Sequence, residues 1–263
     1  ALPPSTASVW QEGMPRASLA ATLTAASAQV RFRVRRREPP PLIIITDPGP
    51  DPDDVKAILI AAMAAREGHI ALRGVIANGG PAPENRAALA RCLLDHVGCL
   101  SVPVGVGSAG TGVAMPHELC LEGYDAVDRS RLQAGSDLLM RVMRSCAPGT
   151  LTVLCISSLR DFADAISRDP ALVRERVGHV AIQGGLERDP SHPEGWVPDS
   201  SVNYLYDTTA AEMVTTFCLS TSLPMSVVSR HAVPMLPMRL ARSFAERADC
   251  PVMRYLADAQ YLG

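Results

Sequence analysis

A mostly parallel central sheet with helices on both faces, an α/β fold, is what this sequence predicts, and three observations carry it. Near-continuous apolar runs of strand length recur along the chain, as in Leu42–Thr46, Ala71–Ala77 and Thr150–Ile156. Strands covered on both faces lose the in-out alternation of half-exposed ones. Ala- and Leu-rich helical stretches separate those runs, which is the rhythm of βαβ units and a parallel sheet. Polar residues gather where the runs stop, the rim at which open α/β sheets bind ligands.

The chain has 263 residues, enough for one large α/β domain or two small ones with an ample core. Apolar residues make up 47% but aromatic ones only 4%, so the core is aliphatic. A net charge of −2 gives no electrostatic reason to expect a nucleic-acid partner. The seven cysteines are scattered without a CxxC pair. They read as buried thiols of a reducing compartment, not as a disulfide framework or a zinc site. No apolar run approaches the roughly 18 residues of a membrane helix, so no membrane partner is expected.

Residues 1–41 differ from the rest and read as an N-terminal leader or arm. They are rich in Pro, Ser, Thr and Ala, with room for one short helix over 17–28. Arg31, Arg33, Arg35, Arg36 and Arg37 precede Pro39-Pro40-Pro41; such a run is a solvated stretch or a patch for an anionic surface. Residues 14–28 faintly resemble a signal peptide, but threonines interrupt the apolar centre. The α/β domain then occupies 42–263. Its pattern predicts strands at 42–46, 71–77, 102–106, 150–156, 179–183 and 223–229. Helices are predicted at about 53–66, 83–97, 131–145, 159–168, 170–177 and 208–218, with a mostly helical tail. Segments 107–129 and 186–203 read as irregular.

The densest chemistry follows the first strand. Asp47, Asp51, Asp53 and Asp54 fall within the stretch Asp-Pro-Gly-Pro-Asp-Pro-Asp-Asp. Carboxylates this close raise one another's pKa unless a cation or a helix N-terminus compensates. All-oxygen donors suit Ca²⁺ or Mg²⁺ rather than zinc. Helix capping by Asp51, with Pro52 at the first position and Asp53 and Asp54 in the first turn, is the alternative. Capping leaves Asp47 unexplained. Elsewhere on the predicted rim stand Asn78, Ser157, Ser158, Gln183, Arg230 and His231. His117 in the irregular stretch, and Trp196, Tyr204 and Tyr206 on or after the later loop, are further pocket candidates.

Other chemistries find less support. Gly105-Val-Gly107-Ser-Ala-Gly110 has the letters of a dinucleotide fingerprint, but no helix opens promptly after it. A nicotinamide enzyme is therefore disfavoured, and a Gly-rich loop bordering the site is preferred. There is no GxxxxGK[ST], GxSxG or HExxH. An EF-hand fails as well, because position twelve from Asp47 or Asp51 is Ile58 or Ala62.

The aspartate loop resembles that of the inosine-uridine type nucleoside hydrolases, which carry Asp-Pro-Gly-x-Asp-Asp after the first strand. Further segments follow in order: Ile76–Gly79, Pro83–Leu89 with Asn85, Val102–Gly107, Ser157–Ala163, Ala181–Gly185, and Val202-Asn203 through Asp207. The resemblance covers about residues 42–233 and implies hydrolysis of the N-glycosidic bond of a riboside with the help of Ca²⁺. It implies Asp47 as metal ligand and water-activating base and Asp54 as the main metal ligand. Asp53 and Asn203 would bind ribose hydroxyls, and a main-chain carbonyl near Leu159 or Arg160 would join the metal shell. Asn78, Gln183, Arg160 and His231 would line the ligand site.

Departures from the family pattern are specific. The loop is two residues longer, so Asp51 competes with the Asp53-Asp54 register for a metal role. Ser201 stands where the family has a Glu that binds the ribose 5′ end. Gly-Pro-Leu-Thr-Asn has become Ser-Ser-Leu-Arg-Asp, which brings Arg160 to the rim. A late His-Asp pair has no counterpart before Gly263, so either a C-terminal part is lacking or the site differs. A lost carboxylate and a gained arginine suit a phosphate, hence an ADP-ribose-type ligand. This form of the loop with an Arg-rich leader looks most like the nucleoside-hydrolase-like type III effectors of plant-pathogenic bacteria, the XopQ group. That likeness implies secretion by a type III system into the host cell cytoplasm, and recognition by a host plant protein; otherwise the protein is cytoplasmic. The competing expectation, from another class, is a catalytically weak module that binds a ligand or a protein on the same fold.

Overall fold

Residues 38–49, 51–111, 118–233 and 237–262 are described by the structure, a computed structural model. The leader over 1–37, with its arginine run and short helix, lies outside them, as does His117. The elements in order are β1 (Pro41–Thr46), α1 (Pro52–Arg66), β2 (Ala71–Ala77), α2 (Pro83–His96), β3 (Val104–Val106), β4 (Leu132–Ala134) and α3 (Gly135–Ser145). Then come β5 (Leu151–Cys155), α4 (Arg160–Arg168), α5 (Pro170–Arg176), β6 (Val177–Gln183), β7 (Leu186–Arg188) and β8 (Trp196–Pro198). The chain goes on with α6 (Val202–Leu205), α7 (Thr208–Ser220), β9 (Met225–Val228), α8 (Met238–Ala245) and α9 (Pro251–Leu262).

Seven strands form one sheet in the order β4-β3-β2-β1-β5-β6-β9, and each neighbouring pair is parallel. Alternate side chains of β1 go to opposite faces. Ile43 and Ile45 join a core with α3, α4, α5 and α7, while Ile44 joins a second core with α1, α2 and α9. All three isoleucines are fully buried, each contributing about 1.5–3 kcal/mol by leaving water. That two-sided burial is why β1 reads as an unbroken apolar run.

Several elements depart from the predicted pattern. The helix expected from 131 starts at Gly135, because residues 132–134 pair with β3 as the edge strand β4. Leu-Gln-Ala carries no β-branched signal, so only its long-range partner makes it a strand. Within the stretch expected to be irregular, β7 and β8 form a separate antiparallel ribbon, and α6 supplies one turn of helix. The expected strand 102–106 shortens to β3.

Strand order reverses at β1, with β2 leaving to one side and β5 to the other. The crevice beyond the carboxyl ends at such a switch point is the natural ligand site. Main-chain bonds hold its two lips. Asn78 N–H donates to the Thr46 carbonyl at 2.9 Å, and Ile156 N–H donates to the Ile45 carbonyl at 2.9 Å.

Candidate functional site

Asp47 leaves β1 at that switch point, and the turn through Pro48-Gly49 returns the chain to α1. Asp54, in the first turn of α1, lies beneath the end of the strand. Its Oδ1 accepts from the Thr46 hydroxyl and, at 3.3 Å, from the Asp47 N–H. Both carboxyls are buried, whereas Asp51 and Asp53 are exposed at the mouth. Asp51 occupies the N-cap position, yet its side chain caps nothing. Capping therefore does not account for the cluster.

Burial pushes the Asp47 carboxyl up to about 7; Asp53 and Asp51 add to this, and the Arg86 guanidinium opposes it. Burial, then the Asp47 and Asp53 charges, hold the Asp54 carboxyl well above the usual carboxylate range, against the Thr46 and Asp47 N–H hydrogen bonds. The floor is short of positive charge. Arg86 from α2 supplies some, with Nη1 3.3 Å from Asp47 Oδ2 and Nε 2.8 Å from Glu118 Oε1.

Two cavities open from this floor. The first, about 470 Å³, is lined by all four aspartates and by Gln183, Ser201, Asn203, Tyr206 and Arg230 among others. The second, about 400 Å³, lies against Gly79, Gly80, Arg86, Ser108–Thr111 and Arg160. Asp47 and Tyr206 belong to both linings. The carboxyls of Asp47 and Asp54 disfavour ionised Tyr206, after burial, with Arg86 opposing.

The other sequence-predicted residues divide between these places. In the first cavity Gln183 Nε2 donates to Asp53 Oδ2 at 3.3 Å, and Asn203 Nδ2 donates to the Gln183 carbonyl at 3.1 Å. Ser201 spends its N–H and hydroxyl on Asp199. Arg160 lines the second cavity, its charge shared between Asp164 at 3.0 Å and Asp207 at 3.3 Å. Asn78 is fully buried; its Nδ2 donates to the Ser158 carbonyl at 3.0 Å and to Asp161 Oδ2 at 2.7 Å. It ties the lips together and does not line either cavity. His231 is exposed beyond β9, where Arg230 and Val233 supply the lining. Trp196 stacks with Arg188 in the ribbon, 5.3 Å from the guanidinium carbon, and Tyr204 is core.

Arg86, Glu118 and Asp161 carry much of this architecture, and sequence motifs did not single them out. Asp161 accepts from the Ser108 N–H and hydroxyl, each at 2.9 Å, and so fixes the Gly-rich loop. Among the described residues no helix opens at that loop; its glycines serve close packing, since a Cβ on Gly105 would lie 2.8 Å from Gly135 Cα.

The profile described as "Inosine-uridine preferring nucleoside hydrolase" matches residues 42–260. The chain belongs to that family. An uncharacterised protein of Schizosaccharomyces pombe is 27% identical over 211 residues, 75% of this chain; the chain spans 64% of that relative's length. Among solved structures, the type III effector protein XopQ complexed with adenosine diphosphate ribose has a TM-score of 0.74 at 24% identity. It covers 92% of this chain, matched to 69% of its own. The effector protein XOO4466 gives 0.72 at 25%, covering 91% and 70%. The inosine-uridine preferring nucleoside hydrolase from Bacillus anthracis gives 0.59 at 16%, covering 84% and 75%.

Membership in this family raises the question of a metal. Among the described residues, no group of three or more His, Cys, Asp or Glu side chains is placed to hold an ion by itself. The donor chemistry nonetheless fits a hard divalent cation: two carboxylates adjacent in one buried floor, all oxygen, and underneutralised. Asp47 and Asp54 would hold it, with Asp51 and Asp53 at the mouth. Among the described residues no helix is long and apolar enough to cross a membrane.

Proposed function

We propose that this protein is a Ca²⁺-dependent N-ribohydrolase-like protein that binds a riboside or an ADP-ribose-type ligand in the aspartate cavity. The observation that carries the reading is the buried Asp47–Asp54 pair at the sheet's switch point, with Asp53, Gln183 and Asn203 facing the same space. A bound cation would lower the pKa of water and orient ribose hydroxyls. Asp47 would accept the proton of the attacking water as the buried carboxylate at the end of the strand. Asp53 is positioned to accept from a ribose hydroxyl, and its Gln183 contact limits its rotation. Asn203, anchored on Gln183, offers its amide oxygen. Arg230 in the first cavity and Arg160 in the second offer guanidinium groups to phosphates. The XopQ complex with adenosine diphosphate ribose supports the larger ligand.

The test is ribose release from nucleosides and from a nitrophenyl riboside, with Asp54→Ala as control. Calcium-dependent turnover lost in Asp54→Ala is the expected result; turnover that survives the substitution would sink the metal mechanism. One observation favours a second reading, a weakly catalytic binding module: Asp47 is already ion-paired with Arg86. Tight ADP-ribose binding without any ribose release would select it. The same proposal extends to delivery by a type III system into the host cell cytoplasm and contact with a host plant protein, supported by the two effector structures. A translocation reporter fused to the whole protein that stays in the bacterium would count against delivery.

A further inference from the structure

The best-constructed feature near the site is one that the hydrolytic chemistry does not use. Arg86 is 6% exposed, on a helix that is buried all round from Ala87 to Leu94. Its guanidinium packs against Gly79 and Gly80, which adopt φ of 73° and 65°. A Cβ on Gly79 would stand 2.7 Å from Nη1, and one on Gly80 3.2 Å from Cζ. Its partner Glu118 is 2% exposed, and a Cβ on Gly49 (φ 136°) would overlap that side chain. Three glycines in conformations that L side chains rarely adopt thus make room for one ion pair. The pair ends on Asp47, with Nη1 also donating to the Asn78 carbonyl at 3.3 Å.

Resting on the cation reading above, we propose that Arg86 is a positioning residue that competes with the divalent cation for the Asp47 carboxylate, and that Glu118 sets how strongly it competes. Arg86 binds Asp47 Oδ2 as an internal monocation. A metal ion recruiting the same carboxylate must loosen that contact and work against the nearby positive charge. Glu118 draws the guanidinium the other way through the shorter of its two carboxylate contacts, 2.8 Å against 3.3 Å. Cation affinity is thereby held below what two buried carboxylates would otherwise give.

Calcium titration calorimetry on the full chain tests this with opposed variants. Arg86→Gln is expected to bind Ca²⁺ about tenfold more tightly than wild type, and Glu118→Gln severalfold more weakly. A merely structural role would move both variants toward weaker binding. Where Arg86→Gln does not fold without metal, its refolding on addition of Ca²⁺, read by circular dichroism, supports the competition, and failure to refold overturns it. Wild-type and Arg86→Gln affinities within about twofold, or a tighter Glu118→Gln, overturn the inference while leaving the cation site standing. Folded wild type and Arg86→Gln that both ignore Ca²⁺ overturn the inference and the cation reading together.

Discussion

Asp47 ties chemistry to stability at a single residue. Its native pKa of about 7 lies above the usual 3.8, so the folded state binds a proton that the unfolded state releases. Stability from this group is fully present below about pH 4 and is lost as pH rises through 7. The difference corresponds to roughly 4 kcal/mol at alkaline pH. Thermal melts without divalent cation should therefore show a midpoint that falls as pH rises from about 4 to about 7. Asp47→Asn should flatten that fall. Added Ca²⁺ should raise the midpoint more at pH 8 than at pH 5, because only the ionised pair attracts it. A profile that is flat in wild type, or unchanged by Asp47→Asn, would contradict the assignment of the titrating group. The acid was legible in the sequence, since Asp47 stands at a strand end where helix capping has no use for it. Its counter-ion was not: Arg86 sits at the head of an Ala-rich helical run with no motif to mark it, and only the fold brings it to Asp47.

At the scale of elements, the rim is held by contacts between segments far apart in sequence. Asn78 after β2, Ser108 after β3 and Asp161 at the start of α4 meet in one buried network. Removing the Asp161 carboxylate would leave the fully buried Asn78 amide and the half-buried Ser108 donors without their partner. Asp161→Ala should cost roughly 2–4 kcal/mol of unfolding free energy in urea melts and speed amide exchange over residues 107–111. Unchanged exchange in that loop would show that packing of its glycines, not the carboxylate, fixes it. The same dependence on distant partners separates what could be read in advance from what could not. Strands β1, β2, β5 and β6 announce themselves by two-sided burial, and the aspartate loop by its spacing. Strand β4 and the β7–β8 ribbon, three residues per strand, are specified by partners rather than by their own composition. Asn78 was legible as a rim residue, but its direction depends on Ser158 and Asp161, some 80 positions away.

For the whole molecule, the switch point places two cavities side by side, with Asp47 and Tyr206 shared between them. A ribose alone can fill little of either space, whereas a nucleotide sugar has a nucleoside arm and a sugar arm joined by a diphosphate. Tyr206 is 41% exposed and comes from the turn between α6 and α7, so its ring can be removed without opening the core. If one ligand spans both cavities, Tyr206→Ala should weaken ADP-ribose binding about tenfold in calorimetry while changing the affinity for free ribose little, the loss being that of one aromatic contact. Tyr206→Phe should retain most of the affinity, since the ring rather than the hydroxyl forms the shared wall. Equal losses for ribose and ADP-ribose in Tyr206→Ala would place the ring in the ribose subsite alone, and the second cavity would then have no part in binding this ligand.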